Sequence, residues 1–160
     1  MQYIASRGLI HRDLAARNIL LCDNQVVKIF DFGLCCNPEQ NLIYQASLPK
    51  RLPMKWLPIE ALTNRIFSEK SDVWSFGILI YEVYSLGKTP YDNMDNTEVL
   101  EFLQSGRRLE KPDLANEDLF NLMMSCWEEE PLNRPTFSEL SDNLRKMLED
   151  VTEHYDYLLV

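Results

Sequence analysis

Two carboxylates and a carboxamide, Asp13, Asn18 and Asp31, stand at either end of a stretch that the chain folds back on itself. Residues 11–18 read His-Arg-Asp-Leu-Ala-Ala-Arg-Asn, and residues 31–33 read Asp-Phe-Gly. Between them, two short apolar and partly β-branched runs, 19–22 and 26–30, flank Asp23-Asn24-Gln25. That pattern predicts a β-hairpin with a three-residue turn. Asn18 opens the first strand and Asp31 closes the second, so antiparallel pairing returns Asp31 to the neighbourhood of Asn18. Asp13 lies shortly before Asn18 in an irregular segment, so all three side chains converge at one end of the hairpin. Phosphoryl transfer to a hydroxyl needs such a set. Magnesium prefers oxygen ligands and neutralises nucleotide phosphates, while a separate carboxylate orients the attacking hydroxyl and takes its proton.

The elements that must hold this set are legible more coarsely. Residues 34–57 carry Pro38, Pro49 and Pro53 with little periodicity and read as one long loop, a length usual for functional segments. From Ser71 onward the chain is helical in character. Ser71 and Asp72 can cap a helix over 71–86 that is apolar on nearly every face, which belongs in the middle of a domain. Gly87 supplies its stop and Pro90 follows. Further helices are predicted over 97–104, 116–127 and 136–149, the last two separated by Pro131 and Pro135.

Composition excludes several classes. The 160 residues carry 16 Lys+Arg against 25 Asp+Glu, a net charge of −9, which opposes broad binding to nucleic acid or anionic membranes. With 46% hydrophobic and 26% charged residues the chain is neither disordered nor collagen-like. No apolar run reaches the ~18 residues of a membrane span, and residues 1–10 contain no signal-peptide core. Cys22, Cys35, Cys36 and Cys126 have no C-x-x-C spacing and only His11 and His154 to join them. They read as reduced thiols in a cytosolic setting rather than a zinc site.

The run HRDLAARN followed by DFG resembles the protein kinases in their tyrosine kinase form. The resemblance runs the length of the chain and implies a mostly α-helical α+β fold: a kinase C-terminal lobe over 1–148, with a small β-hairpin at the catalytic loop and no N-terminal lobe. Residues 149–160 would be a flexible acidic tail. By position, Asp13 would be the catalytic base, Arg17 would help place a substrate tyrosine, and Asn18 and Asp31 would hold magnesium (or manganese) for ATP. His11 would be a scaffold residue. Arg12 would meet a phosphorylated residue of the activation loop, by analogy Tyr44, the tyrosine of that loop. Glu60, in Pro58-Ile59-Glu60 where the family usually has Ala-Pro-Glu, would pair with Arg134 in a buried salt bridge. Asp72 would brace the catalytic loop.

Leu52-Pro53-Met54-Lys55-Trp56 and Ser85-Leu86-Gly87 lean towards receptor-type tyrosine kinases. The resemblance then implies protein substrates phosphorylated on tyrosine, dimerisation of a parent receptor, and location at the cytosolic face of the plasma membrane. Tyr155 and Tyr157 would be docking sites for SH2-type adaptors, or simply part of a solvated tail. Two departures stand out. Cys35-Cys36 replaces the family's usual Ala-Arg, and the sequence contains no glycine-rich loop, strand lysine or helix glutamate. The 160 residues by themselves are therefore expected to be nearly inactive, with an exposed apolar face where a second lobe would dock. The competing reading is a non-catalytic kinase relative acting as an interaction or dominant-negative module.

Overall fold

In the computed structural model, described over residues 1–38, 43–45 and 52–158 (backbone only at 25, 151 and 153–158), one helix organises the others. α1 spans Gln2–Ser6, and α3, Glu69–Tyr84, is the central helix. Val73, Trp74, Ile78 and Ile80 of α3 are buried, and so are its polar residues Ser71, Asp72, Ser75 and Glu82. Burial on all sides is what an apolar circumference requires. The helix begins earlier than expected. Ser68 caps it by accepting the Lys70 N–H, and the Ser71 hydroxyl accepts the Ser68 N–H in return. That reciprocal pair satisfies two first-turn donors and releases Asp72 for other contacts. At the far end the Gly87 N–H reaches the Glu82 carbonyl at 2.7 Å, with Gly87 at φ 83°, a left-handed stop that suits glycine.

The predicted hairpin forms. β1, Ile19–Leu21, pairs antiparallel with β2, Val27–Ile29, with Ile19 opposite Ile29, around a 3₁₀ turn at Asp23–Gln25. Asn24 takes the left-handed conformation there at φ 60°, which Asn tolerates better than most residues. α4 (Asn96–Gln104) and α5 (Glu117–Cys126) match expectation, capped by Asp95 and Asn116. α5 packs on α3 so closely that a Cβ at Gly77 would lie 2.6 Å from Trp127 Nε1.

The segment read as a loop over 34–57 has more order than expected, as far as it is described. The Cys36 N–H and C=O pair with those of Ile10, and a 3₁₀ turn occupies Met54–Trp56. β3, Tyr44–Gln45, pairs with β4, Ile66–Phe67, which follows α2 (Ile59–Asn64). Strands of two residues carry no readable alternation; a partner far along the chain creates them. Pro49, Lys50 and Arg51 lie outside the described residues. The last helix also differs. α6 runs Phe137–Leu158, past the stop expected at Glu149, so the residues set apart as a flexible tail continue the helix as far as Leu158. No proline or glycine occurs after Pro135 to end it. The side chains of Tyr155 and Tyr157 lie outside the described residues.

Candidate active site

The 11–18 segment is fixed from beneath by one buried carboxylate. Asp72, 1% exposed, accepts the backbone N–H of His11 at 2.7 Å and of Arg12 at 2.9 Å. These bonds hold Arg12 at φ 68°, a conformation a non-glycine residue adopts only under constraint. Burial pushes the Asp72 carboxyl up to about 7, against the pull of the two N–H donors. His11 is fully buried. Its Nδ1 accepts the Asp13 N–H, its Nε2 lies 3.3 Å from the Phe30 carbonyl, and its ring meets Phe32 edge-on at 5.0 Å. Burial lowers its pKa, while the Phe30 carbonyl and the Asp13 and Asp31 carboxylates oppose that shift. The neutral imidazole is thus a spacer joining the segment to the hairpin.

The three chemical residues come together as the topology requires. The Asn18 Nδ2 donates to the Asp13 carbonyl at 2.8 Å, and the Phe30 N–H donates to the Asn18 carbonyl at 2.8 Å, next to Asp31. Both carboxylates are near enough to act on the His11 ring. The Asp13 side chain is 16% exposed and pairs with Arg17 Nη2. Asp31 is exposed and left-handed at φ 58°, with one carboxylate oxygen accepting the Gly33 N–H at 3.0 Å. Asn18 has its amide nitrogen committed, so its oxygen is the atom left to bind. An amide oxygen and a carboxylate are hard donors of the kind magnesium takes, though two side chains fall short of a full shell. Among the described residues no group of three His, Cys, Asp or Glu side chains could hold a metal ion.

Arg12 and Tyr44 also meet, though not through a charged contact. The Arg12 guanidinium sits 4.8 Å from the centre of the Tyr44 ring and 4.4 Å from that of Phe67, with Nε buried and without a hydrogen-bond partner among the described residues. Cationic stacking replaces hydrogen bonding on those faces. Cys36 lies against the same guanidinium, and burial raises the pKa of both Cys35 and Cys36. Below the site, Arg134 (1% exposed) forms a forked pair with Glu60 at 2.6 and 3.0 Å and donates to the carbonyls of Glu128, Lys70 and Glu129. Every N–H of its guanidinium is engaged, as a buried cation requires.

Two residues at the site escaped sequence reasoning. Glu82, 8% exposed near the end of α3, accepts the Ala16 N–H at 2.9 Å and the Trp56 indole N–H at 3.0 Å on one oxygen. The Trp56 ring in turn lies 4.4 Å from the Arg17 guanidinium. A carboxylate inside a helix that is otherwise apolar all round was the available signal.

Above the site the surface is apolar. A cavity of about 630 Å³ opens between the hairpin, α3 and α6, lined by Leu14, Ile19, Val27, Leu79 and Leu144 among others. Leu20, Leu21, Val26, Val27, Phe30 and Phe32 are exposed on or beside the hairpin. No helix among the described residues is long and apolar enough to cross a membrane.

Comparison with known proteins is consistent in direction. The profile of the family described as protein tyrosine and serine/threonine kinase matches residues 1–144. A fibroblast growth factor receptor of Ciona intestinalis is 45% identical over 148 residues, covering 92% of this chain and 20% of the receptor. The tyrosine kinase receptor Cad96Ca of Drosophila melanogaster is also 45% identical over 148 residues, covering 92% and 19%. The tyrosine-protein kinase transforming protein RYK of avian retrovirus RPL30 is 43% identical over 151 residues, covering 94% and 34%. The chain spans about a fifth of the length of the two receptors.

Proposed function

The chain belongs to the protein tyrosine and serine/threonine kinase family, and from that premise we propose that it carries the base, metal-ligand and peptide-binding side of a receptor-type protein tyrosine kinase active site. The reaction is transfer of the ATP γ-phosphate to a tyrosine hydroxyl. The observation that carries this reading is the pair of hydrogen bonds through Asn18, side chain to Asp13 and backbone to Phe30, which joins base and metal ligands at one end of a hairpin.

Asp13 accepts the hydroxyl proton and orients the oxygen, a contribution of roughly 10²–10⁴-fold for a placed general base. Arg17, paired with Asp13 and half in solvent, is placed to meet the substrate ring and share its charge with the base. Asn18 and Asp31 hold the metal, magnesium or manganese. When bound, the metal nucleotide supplies the phosphoryl group and the charge neutralisation that positioning chemistry depends on. His11 and Asp72 hold the segment still. Phosphate on Tyr44 would bring roughly −1.5 to −2 charge to the Arg12 guanidinium, whose Nε has no hydrogen-bond partner among the described residues. The parent acts at the cytosolic face of the plasma membrane, dimerises, and presents Tyr155 or Tyr157 to SH2-type adaptors.

The 160 residues alone lack any glycine-rich loop and should turn over peptide barely at all. The test is therefore made with the chain joined to a segment supplying that loop, the strand lysine and the helix glutamate. Asp13→Asn should lower kcat for a tyrosine peptide at least about 10²-fold; undiminished transfer would remove Asp13 as the base. The exposed apolar hairpin and the cavity beside it support a second reading, a non-catalytic module that binds another protein there. Phosphotransfer by the 160-residue chain itself would dismiss it.

A further inference from the structure

Glu82 occupies a position that physics disfavours twice. A carboxylate in the last turn of a helix meets the negative end of the helix dipole, and an 8% exposed one has lost most of its hydration. Neither cost is offset by a cation: none of the three ion pairs among the described residues includes Glu82. Among the described residues it accepts two N–H groups on one oxygen, from segments far apart in the chain. One is the Ala16 backbone N–H, between Asp13 and Asn18; the other is the indole N–H of Trp56.

Trp56 is held from a second side as well, because the Ser75 hydroxyl donates to its carbonyl at 2.7 Å. An indole fixed at its N–H and at its backbone presents a face of set orientation, and the Arg17 guanidinium lies on that face at 4.4 Å while pairing with Asp13. Guanidinium groups stack on indole more favourably than on other rings, and the Arg17 side chain is 42% exposed. Left to solvent, a chain of that length would sample many rotamers.

We infer that Glu82 and Trp56 are positioning residues: the α3 carboxylate aims the indole, the indole aims Arg17, and Arg17 is thereby held beside Asp13 in the orientation that receives a substrate tyrosine. The inference deepens the kinase reading and rests on it for its meaning, but the coupling from Glu82 to Arg17 is a property of the chain alone. The same carboxylate ties the segment bearing the proposed base to the 3₁₀ turn at Met54–Trp56.

The test uses nuclear magnetic resonance on the 160-residue chain. Of its three tryptophans, Trp74 and Trp127 have buried indole N–H groups with no partner among the described residues, whereas Trp56 donates to Glu82. The Trp56 indole proton should therefore be the downfield one of the three, and Glu82→Gln should move it upfield by replacing a charged acceptor with a neutral one. Unchanged Trp74 and Trp127 signals show that the fold is retained. The decisive reading is Arg17, which Glu82 does not touch: its side-chain signals should shift in Glu82→Gln and lose their ring-current displacement in Trp56→Leu. Arg17 signals indifferent to Glu82→Gln would overturn the inference. In the completed domain, Trp56→Leu should raise the peptide KM about three- to tenfold, the size of a lost cation–π contact, with the KM for ATP unchanged. Equal loss in both KM values would also overturn it. Absence of phosphotransfer in the unsubstituted completed domain would count against the kinase reading and leave the measured coupling standing.

Discussion

The two faces of the 11–33 region are built on opposite terms. Below, His11, Arg12, Asn18 and Asp72 are all buried, and they are tied together by hydrogen bonds to backbone N–H and C=O groups. Above, the hairpin turns Leu20, Leu21, Val27 and Phe30 to solvent, and Asp31 is exposed. Buried polar groups are costly unless satisfied, so the lower face has one arrangement and little freedom to leave it. The upper face has apolar area still to cover. Asp13 and its loop are thus set by the core of this chain, whereas Asp31 stands exposed beside the hairpin.

If that contrast is real, damage should be graded by face. The largest loss is expected beneath the site. Arg134→Met removes the cation from Glu60 and takes the Arg134 donors from the carbonyls of Glu128 and Glu129. Breaking a buried pair from one side costs about 3–5 kcal/mol, so urea unfolding should show a severely destabilised or unfolded chain. Next comes Gly77→Ala, whose methyl would stand 2.6 Å from Trp127 Nε1 and 2.9 Å from the Cys126 Cβ. Overpacking of this kind costs about 1–3 kcal/mol, read as a lower midpoint at unchanged slope.

A third comparison uses pH. The folded pKa of Asp72 is raised to about 7 from the ordinary carboxylate value near 3.9. The native state therefore holds its proton more tightly, and this group's contribution is full below about pH 4 and lost as pH rises to about 7. His11 runs the other way. Its folded pKa is lowered by burial, so its contribution is present above its usual pKa near 6.5 and lost as pH falls through the folded value. The two neighbours oppose each other on acidification. Asp72→Asn deletes one of them, so the variant should lose more stability between pH 7 and pH 4 than the parent in denaturant titrations. An identical pH slope in both would mean that Asp72 is ionised throughout that range. The smallest effect belongs to the upper face: Leu21→Gln, at a side chain 77% exposed, should move stability by no more than about 0.5 kcal/mol. It should also improve solubility, since an apolar surface residue is exchanged for a polar one.

Much of the site is legible in the sequence, and the particular residues show why. Asp23-Asn24-Gln25 has the composition of a turn between two β-branched runs, so the hairpin and its return of Asp31 to Asn18 are local consequences of residue type. The helix over 97–104 is legible because Val99, Leu100 and Leu103 recur at helical spacing, whereas the caps Asp95 and Asn116 are seen only in the structure. α3 starts at Ser68, ahead of the expected Ser71 and Asp72, because Asp72 is buried against the His11 and Arg12 N–H groups. β3 and β4 were invisible because each exists through the other across the sequence. α6 runs past the stop expected at Glu149 because no proline or glycine follows Pro135 to break it.

Sequence alone determined what depends on neighbours in the chain: the acid, amide and acid at a hairpin end, the glycine stop, and an apolar helix that had to be central. Tertiary structure alone decided what depends on groups distant in the chain. It seated Asp72 under the loop, laid Tyr44 and Phe67 on Arg12, and ran a single buried oxygen of Glu82 to both Ala16 and Trp56. The physical reason is the same in each case. A buried polar group must find its partner wherever packing brings one within about 3 Å, and no local pattern records which distant residue that will be.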